Sequence, residues 1–236
     1  MIPRKIHCFW AGGPKTRLAR RCLASWRRFA PGWEIREWTP GELRRSASAT
    51  RGVGLEFFEA AVSAGKWAMA SDWARMMALW TEGGVYFDFD VELVAPIGRL
   101  PSGEWVAGEW TAGGGSWANP GGGIALEKGS ALARHMLEAY GRLAFDPGRK
   151  MMPWINERLA EAGVGSGGGV AVLAPEVLSP VRFDGSVGAT DATVGIHRYA
   201  MGWASPWRRL LQWMNWHGMG GAIGAALRVR RAWRGR

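Results

Sequence analysis

Ser71-Asp72-Trp73-Ala74-Arg75-Met76-Met77-Ala78-Leu79-Trp80-Thr81-Glu82-Gly83-Gly84-Val85-Tyr86-Phe87-Asp88-Phe89-Asp90 decides the reading of this 236-residue chain. From Lys66 to Glu82, Trp67, Ala70, Ala74, Met77, Ala78 and Thr81 recur at close to helical spacing. Asp72 and Arg75 are three residues apart and share a face of that helix. Gly83 and Gly84 can end it, since glycine takes a positive φ without steric cost. Val85-Tyr86-Phe87 then has the β-branched and aromatic composition of a buried strand. Side chains two apart on a strand point the same way, which predicts that Asp88 and Asp90 project together from its end.

Two adjacent carboxylates repel each other and are costly to bury unpaired. A hard divalent cation relieves that conflict, and such ions favour carboxylates together with substrate phosphates. The string therefore suits a protein that holds a metal against a diphosphate. A solvated turn is the plainer account of an isolated Asp-x-Asp, but here twenty residues form the pattern.

Working outward, Lys5 to Trp10 reads as a first strand, ended by Ala11-Gly12-Gly13-Pro14. Residues 16–29 read as a helix with Leu18, Cys22, Trp26 and Phe29 inward and Arg17, Arg20, Arg21, Arg27 and Arg28 over the remaining surface. Trp33 to Trp38 alternates like a second strand, and helices are expected near 54–64 and over 66–82. This β-α-β-α-β alternation predicts a largely parallel sheet with helices on its faces. Further strands are expected at 91–94, 105–109, 124–126, 170–173 and 193–197, and helices at 129–143 and 151–162. Residues 111–123, with six glycines, read as a flexible loop, and 175–181 as irregular. The division expected is a domain over 1–205 and a basic Trp- and Arg-rich helical tail over 206–236.

Charge is unevenly spread. The net +10 divides into +9 over residues 1–51, −6 over 52–206 and +7 over 207–236. Basic ends attract phosphates, anionic lipid headgroups or nucleic acid, although a solvated surface has the same composition. Sixteen tryptophans suggest exposed stacking surfaces or an interface. Only Cys8 and Cys22 are present, which excludes a disulfide framework and suits a reducing cytoplasm. The first residues lack the apolar core of a signal peptide. No uncharged apolar run is long enough to span a bilayer. The expectation is a cytoplasmic protein, at most peripheral at the inner membrane face.

The pattern Ser-Asp-x-x-Arg-x-x-x-Leu-x-x-x-Gly-Gly-x-Tyr-x-Asp-x-Asp over 71–90 resembles the DxD-containing glycosyltransferase family 32. That family includes yeast Golgi α-mannosyltransferases and bacterial capsule and lipopolysaccharide enzymes, and more distantly the clostridial glucosylating toxins. Ile2-Pro3-Arg4-Lys5-Ile6-His7-Cys8-Phe9-Trp10-Ala11-Gly12-Gly13 is similar to its opening strand. Cys22-Leu23-Ala24-Ser25-Trp26, Pro31-Gly32-Trp33-Glu34 and Trp38 follow its usual order, and His197 with Trp203 looks like its closing element. The matches span about 1–205.

The resemblance implies a GT-A-type fold, a nucleoside-diphosphate sugar donor (a UDP-sugar, or a GDP-sugar), Mn²⁺ or Mg²⁺, and transfer with retention. It implies that Asp90 and Asp88 hold the metal, with Asp88 also near the donor's ribose or sugar. Asp72 would hold sugar hydroxyls, while Arg75 pairs with a phosphate or orients Asp72. Trp10 would stack on the nucleobase, with Ala11 and Gly12 beside it. Asn119 and Trp203 would lie near the donor, and Tyr86 either packs beneath Asp88 or touches donor. His197 is a metal ligand, an acceptor-side residue or an ordinary strand histidine. Glu109 reaches the acceptor or is a surface carboxylate. The acceptor expected is a glycan or lipid-linked glycan, with a protein or a modified nucleic-acid base as alternatives. A non-catalytic glycan or nucleic-acid binder on the same fold is the reading from another class.

Overall fold

A computed structural model describes residues 1–49, 52–111, 114–167, 169–182 and 186–200. The first half runs β1 (Lys5–Phe9), α1 (Arg17–Phe29), β2 (Glu34–Trp38), α2 (Pro40–Ala49), α3 (Leu55–Ser63), α4 (Trp67–Glu82) and β3 (Gly84–Tyr86). The second half adds β4 (Val91–Leu93), β5 (Glu104–Val106), β6 (Gly108–Trp110), β7 (Ser116–Ala118) and β8 (Ile124–Leu126). It ends with α5 (Ala131–Arg142), α6 (Met151–Glu161), β9 (Val170–Val172), α7 (Pro175–Leu178) and β10 (Gly195–His197). The tail over 206–236, expected to form helices, lies outside the described residues.

Six strands form one sheet in the order β2-β1-β3-β8-β5-β9. All neighbours are parallel except where β8 runs against β3 and β5. Two small antiparallel pairs, β4 with β10 and β6 with β7, stand beside it.

Alternation along the strands divides the interior in two. Ile6, Cys8, Val85, Trp105 and Ala125 face a core completed by Cys22, Leu23 and Trp26 of α1. Phe9, Tyr86, Val106, Ile124 and Leu126 face the larger core, built from α2 to α6. Helix α1 is amphipathic as expected: Ala19, Cys22, Leu23, Ser25 and Trp26 are buried, and Thr16 caps it by accepting the Ala19 N–H. The Trp26 indole donates to Val91 O at 2.8 Å, and Ser25 Oγ accepts the Leu93 N–H at 2.9 Å, so α1 fixes β4. Burying a side chain as large as Trp26 or Leu23 contributes roughly 1.5–3 kcal/mol each.

Helix α4 is central, with every residue from Trp73 to Leu79 buried. The two glycines after it are required by space and by conformation. Gly83 has φ +66°, and a Cβ there would lie 2.4 Å from Lys128 N. Gly84 has φ +121°, and its Cβ would lie 2.8 Å from Lys5 O.

Four expectations need correction. The region 111–123 is not wholly loop, because Ser116–Ala118 pairs with Gly108–Trp110 as the hairpin β6–β7. The strand expected over 105–109 breaks at buried Ala107 into β5 and β6. Residues 175–178 are helical rather than irregular. Strand β3 stops at Tyr86, so Asp88 and Asp90 lie in the link to β4 and converge through a turn, not through strand pleating.

Candidate active site

The site begins with Arg75. Its position on α4 leaves the side chain almost wholly enclosed, 3 % exposed, and a buried guanidinium needs partners. Nη1 donates to Asp72 Oδ1 at 2.7 Å, and Nη2 reaches Asp88 Oδ1 at 3.2 Å. Tyr86 supports the group from below, its ring 5.3 Å from the guanidinium. Burial by itself would lower the Arg75 pKa, but Asp88 and Asp72 outweigh it and raise it. Burial pushes Asp72 up to about 6, with Arg75 opposing. Asp88 is also raised, by burial and by Asp90, against the pull of Arg75.

Asp90 is held from the other side by the chain after β10. Ala200 N–H donates to Asp90 Oδ2 at 2.7 Å, and Arg198 N–H to Asp90 O at 2.8 Å. Pairing of β10 with β4 brings His197 opposite Val91, one residue from Asp90. His197 Nε2 then lies 3.3 Å from Asp90 Oδ1. Burial disfavours charge on both groups, yet each outweighs it for the other: Asp90 is lowered and His197 raised. Glu92 anchors this return, receiving Arg21 of α1 at 2.6 Å and Arg198 at 2.7 Å.

Asp88, Asp90 and His197 thus offer three ligand atoms that all lie within 4.8 Å of one another. Buried Asp90 Oδ1 has His197 Nε2 at 3.3 Å but no well-aligned hydrogen bond, so it retains capacity to bind a cation. Two carboxylates and an imidazole suit Mn²⁺, and with substrate oxygens Mg²⁺ as well. The expected metal residues therefore fit such an ion.

A cavity of about 420 Å³ opens beside this cluster. Trp10, Ala11, Gly12, Asp88 and Asp90, all expected to meet donor or metal, line it. So do Trp67, Ser71, Phe89 and Ala200. The Trp10 indole donates to Gly13 O at 3.0 Å, and its ring meets Phe89 edge-on at 4.8 Å. Asp72 and Arg75 stand behind the wall. Four expected donor contacts are not on it: these two, Tyr86 and Asn119. Tyr86 is buried beneath Arg75, and Asn119 is occupied behind Asp88. Asn119 Oδ1 accepts the Gly121 N–H at 2.9 Å, while its amide donates to Glu109. Glu109 also accepts from the Trp117 indole at 3.4 Å, so it is bound into the hairpin rather than free at the surface. Trp203 lies outside the described residues.

The turn after Asn119 presses on the site. A Cβ on Gly121 would lie 2.6 Å from Asp88 Oδ2, and one on Gly122 would lie 3.3 Å from His197 Nδ1. Sequence reasoning did not find these glycines, nor Phe89, Tyr199 or Ala200. Phe89 could have been noticed as the aromatic between the two aspartates. Tyr199, with φ +46° and its ring 4.1 Å from His197, carries no local sign of its role.

Residues 16–109 match the family model described as a glycosyltransferase sugar-binding region containing a DXD motif, under half of the chain. No curated protein matches significantly. Among solved structures, PaToxG Glycosyltransferase superposes with a TM-score of 0.51 at 18% identity, over 68% of this chain and 69% of that one. A transferase mutant with two cysteine substitutions gives 0.42 at 12% identity, over 68% and 85%. The first likeness establishes the GT-A type of fold, a mostly parallel sheet flanked by helices.

Proposed function

Taking the chain as a DXD-type glycosyltransferase, we propose that it moves a sugar from a nucleoside-diphosphate sugar, a UDP-sugar foremost, to a hydroxyl of a glycan or lipid-linked glycan. The observation that carries this reading is the convergence of Asp88, Asp90 and His197 beside a cavity lined by Trp10 and Phe89. A divalent cation bound there supplies Lewis acidity to the departing diphosphate.

The chain's own groups do the rest. Asp90 is kept ionised beside His197, and its orientation is fixed by the Ala200 N–H. Arg75 ties Asp72 and Asp88 into one unit, so the α4 face and the Asp-Phe-Asp turn cannot shift independently. Asp72 does not line the cavity but keeps 13 % of its side chain exposed, and the family resemblance implies that it accepts hydrogen bonds from donor sugar hydroxyls there. The aromatic wall excludes water from the base and shields the site, which strengthens every electrostatic interaction within it. Retention by front-face displacement, with the departing phosphate taking the acceptor proton, is the course the family resemblance implies.

The test is a screen of nucleotide sugars for thermal stabilisation and slow hydrolysis with Mn²⁺, which requires no acceptor. The expected result is one donor that is both bound and cleaved, with cleavage falling on the order of 1000-fold in Asp90→Ala while folding persists. Absence of cleavage for every donor, with binding unchanged in Asp90→Ala, would overturn the proposal.

A further inference from the structure

Helix α1 has 13 residues and is about 20 Å long. Its outward residues are Arg17, Arg20, Arg21, Ala24, Arg27 and Arg28. At 3.6 residues per turn they fall within one arc of about 120°. The helix contains no acidic residue. Like charges one turn apart repel, so such a stripe is mildly destabilising unless something neutralises it.

Little in the described structure does. Arg21 alone reaches a carboxylate, Glu92 at 2.6 Å. Arg20 donates to Lys15 O at 2.7 Å, and Arg28 lies 5.0 Å from the Phe29 ring. Among the described residues, no carboxylate ion-pairs with Arg17, Arg20, Arg27 or Arg28. Guanidinium groups, with their planar fork of donors, match phosphate oxygens.

We propose that the α1 stripe docks the protein on an anionic lipid bilayer. The stripe runs the length of α1 on one side of the helix, so its cations can face one anionic surface together. Its outward side chains are five arginines and Ala24, which match the phosphates of lipid headgroups and of a nucleic-acid backbone alike, so the experiment below sets the two against each other. The stripe lacks exposed apolar side chains larger than Ala24, so binding is electrostatic adsorption, not insertion. Position favours a bilayer as well: Thr16, Leu18 and Ala19, at the start of the same helix, line the cavity. A bilayer held by α1 therefore lies beside the cavity mouth, where a lipid-linked acceptor would arrive. In that last point the inference rests on the proposed transfer reaction, but adsorption itself does not.

The experiment is sedimentation of the full chain with vesicles of phosphatidylcholine alone or with phosphatidylserine, and a duplex oligonucleotide as competitor. The comparison variant replaces Arg17, Arg27 and Arg28 by Gln, all exposed and outside the site. The expected result is binding only to phosphatidylserine vesicles, lost as salt rises, and weakened on the order of 100-fold in the variant. Mn²⁺-dependent donor hydrolysis in solution stays unchanged in the variant, which separates this inference from the catalytic one. Undiminished vesicle binding by the variant would assign adsorption to other basic segments and overturn the proposal. So would binding to phosphatidylcholine alone, or a duplex that outcompetes the vesicles.

Discussion

His7 sits in the middle of β1 with both ring nitrogens engaged. Nε2 lies 2.7 Å from Gly83 O, and Nδ1 accepts the Trp38 indole N–H at 3.0 Å. Only the neutral ring with its proton on Nε2 satisfies both. Burial lowers its pKa from the usual 6.5, with the Gly83 carbonyl opposing. As pH falls below 6.5 the unfolded chain takes up a proton that the folded chain refuses, so stability is lost until the folded pKa is passed. His7→Gln is therefore expected to lower the melting temperature at neutral pH and to lose less of it between about pH 7 and about pH 5 than the parent does. Parallel melting curves across that range would contradict the assignment. Arg75 teaches a related lesson about legibility. Its bond to Asp72 can be read from a spacing of three, but its bond to Asp88 needs the sheet to bring the two together. Removing a buried partner of this kind typically costs about 3–5 kcal/mol.

At the scale of elements, those with a strong period or a clear stop were legible: β1, α1, α4 and the glycines after it. Helix α2 was not anticipated, although its signal is present. Thr39 and Glu42 form a reciprocal cap, with Thr39 N–H donating to Glu42 at 2.9 Å, and Pro40 opens the helix. The hairpin β6–β7 was hidden by glycines that look like loop. It is held from outside, because Asn156 of α6 exchanges hydrogen bonds of 2.9 and 3.0 Å with the Ala118 backbone. That clamp fixes Asn119 and so the turn that presses on Asp88. Gly121→Ala should therefore disturb the site without unfolding the chain: far-ultraviolet circular dichroism retained, Mn²⁺ affinity reduced on the order of tenfold or more. Wild-type affinity in that variant would show that the turn yields freely.

For the whole molecule, a largely parallel sheet flanked by helices follows from the alternation of strands and helices. The antiparallel β8 does not, because its insertion between β3 and β5 is settled by which apolar faces remain open. Among the described residues, no helix is long and apolar enough to cross a membrane. The three side chains of the candidate metal site come from two places far apart in the chain: the turn after β3, and β10. Contacts of such long sequence separation form late, because the intervening chain must first be ordered. On dilution from denaturant, helical dichroism should thus recover before Mn²⁺ affinity does, and recovery of both in a single phase would contradict this. The pairing of β10 with β4 has a biological corollary. During synthesis the N-terminal strands and α4 emerge and can fold well before His197 leaves the ribosome, so a nascent or truncated chain would own the aspartates yet hold metal weakly. Competence is postponed until the last described strand is in place.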